Sequence, residues 1–550
     1  MRRLLEDPRN PVRVLVAATV AAAGLILVLG RGTSFSADEV VFLATAPDLN
    51  LRTVLEPHGG HLLAITRLVY KAIAEANGLD YLPFRVLALA TVIAMVWLLF
   101  AWARRRVDPW VAALLCMVLL FLGSDFLHTF HGNGFTVLSS ICFGLAALLA
   151  FDRGDRRGDA WACAFLVLGV LSYSVILAFI AGIGFLTIRD RASWRRIWVA
   201  LVPLGLYLLW RLWLVVDDVG SAGTGIELSN LLLVPAWAFQ SLAGVIAALS
   251  GLGYAFGGSE LPAGADGLSA VTEVAVSPVG PPLALAALAG LCWSIGRRGL
   301  GPILAATILM ALVLWTMQAL VGEGSFASRV PGGDSRYLYP GAVLVLLVAF
   351  AAAGPGRPSD RGLALLAVWS LSAIAVNVMV LRDGAERAEK YGHQIEGMAG
   401  VFKITGTADR DADTSSTTGL LSAVADSPYG DFGSGLDELR ARPADERGTL
   451  DMVIGSVAVS GAVEEGEPCP PGRTIRPEEI ASADGPVEVI SPTGGTIMAR
   501  FFADRPTVEL ASLRPGVAAT IDLPEVKPLE WRLSAPGVEL RTCRADGTER

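Results

Sequence analysis

Asp38 and Glu39 stand side by side in Phe35-Ser-Ala-Asp38-Glu39-Val-Val-Phe42-Leu43, just after the first long apolar run of the chain. Two adjacent carboxylates at a membrane surface are costly unless they are solvated or used. On a helix starting near Ser36 they fall in its first turn, where the dipole favours negative charge, and a pair of capping acids is the plain reading. Farther on come Glu56-Pro-His58-Gly-Gly-His61 and Gly123-Ser-Asp125-Phe-Leu-His128-Thr-Phe-His131-Gly-Asn133, so that four of the five histidines form two HxxH pairs. HxxH holds a metal when one helix face presents both rings. Here one pair is split by Gly-Gly and the other is followed by Gly, and the plain reading is histidines bonded to loop backbone or to a polar ligand. A third cluster is Ser328-Arg329-Val-Pro-Gly-Gly-Asp-Ser-Arg336-Tyr337-Leu-Tyr339-Pro340, with Arg211 near the end of another apolar run. Lone arginines at such ends often snorkel to headgroups, and for Arg85 that reading and a functional one both stay open. The Arg-Tyr-x-Tyr loop instead offers guanidinium forks that match phosphate oxygens and tyrosines that suit an interface.

The elements that carry these residues belong to a membrane protein. The 550 residues are 53% hydrophobic and 17% charged, with a mean hydropathy of +0.54, which argues against a cytosolic enzyme and against a disordered chain. Apolar runs occupy 14–30, 82–103, 109–123, 134–151, 160–172, 174–188, 197–215, 280–296, 300–321, 337–353 and 362–381, giving an expectation of eleven transmembrane helices. Short loops at one end of these runs hold 18 Lys and Arg residues, while the much longer opposite loops and adjoining ends share nine. The positive-inside rule puts the first set and the N-terminus in the cytoplasm. Basic flanks on both sides require 160–188 to cross an even number of times, so two short helices should meet near Ser172-Tyr173-Ser174. Residues 212–296 contain six acids and no Lys or Arg, so 229–250 is expected to lie in the outer interface or re-enter; a true span is the alternative. The first run has a basic lead without a convincing cleavage site and reads as a retained anchor.

After Leu381 no run is long enough to span a bilayer. Residues 1–382 carry 27 basic and 23 acidic residues and residues 383–550 carry 17 and 29, so the tail is strongly acidic. An acidic tail and a pI near 5.4 make nucleic acid an unsuitable partner. The Arg-over-Lys bias, 40 against four, reads as a GC-rich bacterial source. Residues 383–404 extend the last run as a polar helix, and 405–449 read as a linker. From 450 to 550 short alternating strands, punctuated by Gly and Pro, predict a β-sandwich-like domain outside the cytoplasm. Cys469 and Cys543, the only cysteines of the tail, read as a disulfide in that compartment.

The membrane part resembles the GT-C superfamily of polytopic glycosyltransferases, which includes protein mannosyltransferase-like and aminoarabinose-transferase-like enzymes. The resemblance covers roughly residues 1–382. It rests on Asp38-Glu39 in a long first external loop, the Gly-Gly-His61 element, Asp125 in the second external loop, the paired short helices at 160–188 and Arg336-Tyr-x-Tyr before a late span. It implies a multi-pass plasma-membrane enzyme that takes a sugar from a polyprenyl-phosphate donor. The sugar is transferred, with inversion, to an extracytoplasmic glycan, lipid or protein acceptor. In that chemistry one carboxylate takes the proton of the acceptor hydroxyl. Asp38 is the expected base, Glu39 its partner and Asp125 the second acid. Fixed cations stabilise the leaving phosphate, a role for Arg329, Arg336 and Arg211, with Tyr337 beside them. His58, His61 and His131 are expected to touch substrate. No cofactor is firmly implied, and a metal on the histidine pairs is the weaker alternative. Two other classes fit the same chain: a transporter or lipid flippase, and a non-catalytic scaffold displaying the external domain.

Overall fold

A computed structural model of the chain describes residues 7, 9–189, 191–216, 228–253, 277–320, 337–405, 427–430, 432–444, 446–448, 450–451, 463–465, 471–475, 487–505, 508–521, 532–534 and 540–543. The chain divides into two compact units. One comprises residues 1–34 and 45–391, the other residues 35–44 and 392–550.

The first unit is helical. Its elements are α1 (Asn10–Leu29), then, from residue 51 on, α3 (Leu51–Leu55), α4 (Ala64–Asn77), α5 (Leu82–Ala103), α6 (Pro109–Leu120), α7 (Phe126–Phe130) and α8 (Gly134–Phe151). They continue with α9 (Arg156–Val170), α10 (Ile176–Arg189), α11 (Trp198–Val216), α12 (Val234–Leu249), α13 (Gly280–Arg298), α14 (Pro302–Leu320) and α15 (Leu338–Ala353). The last, α16, runs unbroken from Asp360 to Thr405 and so joins the final apolar run to the polar segment after it. Among the described residues seven helical segments are long and apolar enough to cross a membrane, or eight if a bent pair counts as one. This is a multi-pass membrane protein. The sequence pattern predicts eleven crossings; α13, at 19 residues, is long enough but starts on prolines, ends on Arg297 and Arg298 and is not among the seven, and two other helices fall short in length. Helices α10 and α15, with 14 and 16 residues, reach about 21 and 24 Å against an apolar thickness of about 30 Å. Residues 228–249 are among the seven: Pro235 falls in the first turn of α12, where a missing N–H costs the helix nothing.

The bent pair positions part of the site. Helix α6 stops at Leu120, and the chain restarts over Gly123–Phe130 at 41° to it. A break inside an apolar run exposes backbone groups that need partners. Asn377, fully buried in α16, supplies them: its Oδ1 accepts the Gly123 N–H at 3.1 Å, and its Nδ2 donates to the carbonyls of Ala248 and Ala373. Gly123 and Gly384 leave no room for a Cβ, the first against the α16 backbone and the second against the Phe126 ring. The break and the last helix are therefore in backbone-close contact. Residues 160–188 also break, at Leu171–Val175 between α9 and α10.

The second unit holds α2 (Ala37–Thr45), the end of α16, α17 (Leu436–Ala441) and two antiparallel sheets. The five-stranded sheet has the order β3 (Val463–Glu465), β8 (Ala518–Ile521), β5 (Val487–Ile490), β10 (Leu540–Cys543), β4 (Pro471–Ile475). The three-stranded one is β7 (Val508–Leu513), β6 (Gly495–Arg500), β9 (Arg532–Ser534). Asp451, fully buried, accepts the N–H groups of Phe501, Phe502 and Ala503 at 2.7–3.0 Å, and Arg447 forks onto Asp504. These bonds tie the end of β6 to the segment before the sheets.

Candidate active site

The acid pair divides its work. Ser36 precedes α2, and the N–H of Ser36 donates to Glu39 Oε2 at 2.8 Å. That is one half of a capping box, in which the third helical residue reaches back to the residue before the helix. Glu39 is fully buried, as are Val40, Phe42 and Leu43 along the inner face of α2. Asp38, one position earlier, points to the exposed side. Phe35 packs edge-on against Phe432 at 5.6 Å, which anchors the start of this helix within its unit. The capping role expected of the pair is thus performed by Glu39, while Asp38 is the accessible carboxylate at the positive end of the helix dipole.

Asp125 is placed differently. It is fully buried in the restart after the α6 break. Its Oδ2 accepts the Tyr339 N–H at 2.7 Å, at the first turn of α15, and its Oδ1 accepts the His128 N–H at 3.4 Å. The His128 Nδ1 also approaches Oδ1 to 2.8 Å, off the line of a hydrogen bond. Thr129 Oγ1 donates to the Asp125 carbonyl at 2.9 Å and lies 3.4 Å from the Tyr339 hydroxyl. Asp125 therefore joins two helix starts and has both oxygens committed to backbone donors.

The two HxxH pairs do not converge on one ion. His131 Nδ1 lies 3.1 Å from the Ser34 carbonyl, which only accepts, so this nitrogen carries the proton. The Tyr81 hydroxyl is 3.4 Å from the same nitrogen and accepts the Gly132 N–H. Burial pushes the His131 imidazole down to about 4; the Ser34 carbonyl opposes this, and the charges of His128 and Arg85 add to it. His58 and His61 face each other across a hairpin of β1 (Pro57–His58) and β2 (His61–Leu62), whose turn needs Gly59 and Gly60 at positive φ. His61 Nδ1 meets Ser174 Oγ at 2.7 Å, with its ring 4.0 Å from that of Tyr173. Among the described residues no group of three or more His, Cys, Asp or Glu side chains is placed to hold a metal ion.

The rest of the first long loop is pinned by donors to its carbonyls. Lys71 Nζ bonds the Ala46 carbonyl at 2.9 Å, Trp210 Nε1 that of Leu55 at 2.8 Å, and Arg67 that of Thr53. Burial lowers the Arg67 guanidinium from its ordinary value, partly offset by Glu56. Arg85 bonds the carbonyls of Arg31 and Thr33 and so caps the end of the first span. Of the expected phosphate ligands, Arg211 is half-buried with its guanidinium 6.0 Å from the Trp210 ring, and Tyr337 immediately precedes α15. Arg329 and Arg336 lie outside the described residues, as does Cys469 of the expected disulfide; Cys543 belongs to β10. Sequence reasoning missed Asn377, Tyr81 and Ser34. Only Asn377 left a signal, a lone amide in an apolar span.

No family description and no curated protein matches the sequence. Two solved structures do. One is the archaeal oligosaccharyltransferase AglB from Archaeoglobus fulgidus in complex with an inhibitory peptide and a dolichol-phosphate, at 13% identity over 76% of this chain and 60% of that one, with a TM-score of 0.42. The other is an Archaeoglobus fulgidus oligosaccharyltransferase in the apo form, at 12% identity over 77% and 61%, with a TM-score of 0.44. This chain spans about three fifths of the length of those proteins. At such identities residue roles do not transfer, and they are argued from this chain alone.

Proposed function

We propose that the chain is a membrane glycosyltransferase of the GT-C type. It moves a sugar from a polyprenyl-phosphate donor to an extracytoplasmic acceptor, with inversion at the anomeric carbon. The observation that carries this reading is the split at the head of α2: Glu39 is buried and locked on the Ser36 N–H, while Asp38 is exposed one residue away. A base must reach a substrate proton, and a cap must not move. Asp38 takes the proton of the acceptor hydroxyl as it attacks the anomeric carbon; the bond from that carbon to the donor phosphate breaks. The phosphate leaves as an anion, stabilised by Arg329 and Arg336, with Arg211 as a further cation. Asp125 serves as a positioning residue that holds the start of α15 next to Tyr337. The positive-inside pattern supports an N-terminus in the cytoplasm and a tail outside it.

Two variants separate the roles. Asp38→Asn keeps shape but cannot take a proton; transfer falls by about 10²- to 10⁴-fold while donor affinity is kept. Arg336→Ala lowers donor affinity together with the rate. Cells carrying either variant lose one surface glycan or glycolipid. Normal levels of Asp38→Asn protein with an unchanged glycan profile would reduce Asp38 to a helix-end acid and remove the reading. For orientation, a cysteine at Ser415 reacts with an impermeant thiol reagent on intact cells and one at Ser359 does not; the reverse labelling inverts the topology.

A further inference from the structure

Helices α12, α13, α14 and α15 do not close on one another. Between them lies a cavity of about 810 Å³, walled by apolar side chains that include Leu242, Leu288, Trp293, Leu312, Trp315 and Val345. The charged groups on its wall are Arg297 and Arg298, and both stand at one end, in the last turn of α13. Among the described residues no carboxylate lines it. The wall follows α13 from Ala287 to Arg298, a rise of about 16 Å. One leaflet of bilayer hydrocarbon is about 15 Å deep.

The two arginines are not equivalent. Ser294 Oγ and Arg298 Nη1 each donate to the Ala352 carbonyl at 2.8 Å, and Arg298 also bonds that of Ala353, so Arg298 closes the C-terminal end of α15. Arg297 is exposed, lies 5.0 Å from the Trp293 ring, and forms no ion pair among the described residues. Midway along the wall, a Cβ on Gly290 would meet nothing within 4 Å.

We propose that this groove binds an anionic glycerophospholipid of the leaflet on which Arg297 stands. Its phosphate rests on the Arg297 fork and its acyl chains lie along Leu288, Leu312 and Trp315. Three features commit the occupant: a depth of one leaflet, cationic groups confined to one end, and an indole at headgroup level, where tryptophans partition. In the topology proposed above this is the cytoplasmic leaflet, opposite the face assigned to Asp38, so the ligand is a different lipid from the sugar donor.

The full chain is placed in phosphatidylcholine nanodiscs with a trace of phosphatidylglycerol or phosphatidylcholine carrying an acyl-chain diazirine, irradiated, and its labelled peptides are mapped. The phosphatidylglycerol probe is expected to label 287–294 and 345–352 about five-fold above the phosphatidylcholine probe. Arg297→Ala brings the two probes level. Gly290→Phe, whose ring enters open space, abolishes labelling by both while leaving the unfolding temperature unchanged. Equal labelling of the wild type by the two probes, or labelling that survives Gly290→Phe, overturns the proposal. So does displacement by polyprenyl phosphate and not by unlabelled phosphatidylglycerol, which would make the groove a donor site. None of these readouts depends on transferase activity.

Discussion

Ser36–Glu39 and Gly123–His131 each put an acid at the start of a short helix, and the two acids meet opposite environments. In the first, the buried Glu39 does the capping and Asp38 stays exposed. In the second, one buried residue, Asp125, takes every cap bond itself. A carboxylate whose oxygens are both held by backbone donors has given up the freedom a base needs; at α2 the bond to the Ser36 N–H falls to the buried Glu39, and the exposed carboxylate is Asp38. The doublet therefore matters less as two charges than as a way to separate holding from reacting.

The largest expected effect tests that separation directly. Asp38→Asn slows transfer by about 10²- to 10⁴-fold with thermal unfolding unchanged, whereas Asp125→Ala acts first on stability. Removing the Asp125 carboxylate leaves the N–H groups of Tyr339 and His128 buried without that partner. Each orphaned donor costs about 1–3 kcal/mol, read as a lowered unfolding temperature of the purified protein. If Asp125→Ala unfolds like the wild type but loses activity, the contrast between the two acids fails.

His131 offers a smaller, pH-dependent test. Its imidazole titrates near 4 in the folded chain against 6.5 for the free group. The unfolded chain then binds more protons between those values, so this residue's contribution is complete above pH 6.5 and is lost as pH falls towards 4. The full difference is on the order of 3 kcal/mol. Unfolding temperatures measured from pH 7.5 to 4.5 should fall less steeply in His131→Gln than in the wild type; parallel curves would mean that the ring is not neutral in its site. The smallest effect is at the cap. Glu39→Gln keeps an oxygen for the Ser36 N–H and costs a few tenths of a kcal/mol, while Glu39→Ala loses it and costs about 1 kcal/mol. A loss of activity in Glu39→Gln as deep as that of Asp38→Asn would show that Glu39 is no mere cap.

Much of the architecture was legible in local pattern. Apolar length marks α5, α8 and α14, and β-alternation marks β5, β6 and β7, whereas the Gly-Gly between His58 and His61 reads only as a split histidine pair and not as the hairpin it forms. Ser-x-x-Glu before an apolar run carries the half-box at α2, because that bond closes within three residues. The count of crossings was less legible, because α10 and α15 are apolar enough but short, while α13 is long enough but not apolar enough.

What the sequence alone determined about this protein is the set of properties that add up residue by residue: its membrane character, the acidic tail, and the presence of an acid pair, two histidine pairs and a late arginine loop. Only the tertiary structure decided which polar groups are held and which are exposed. Asp125 is bound by Tyr339, 214 positions away, and Gly123 by Asn377, 254 positions away. Whether a buried carboxylate or amide finds its donors depends on which distant helices the packing brings beside it. Apolar periodicity constrains the buried face of a helix and leaves open which polar atom will meet it there.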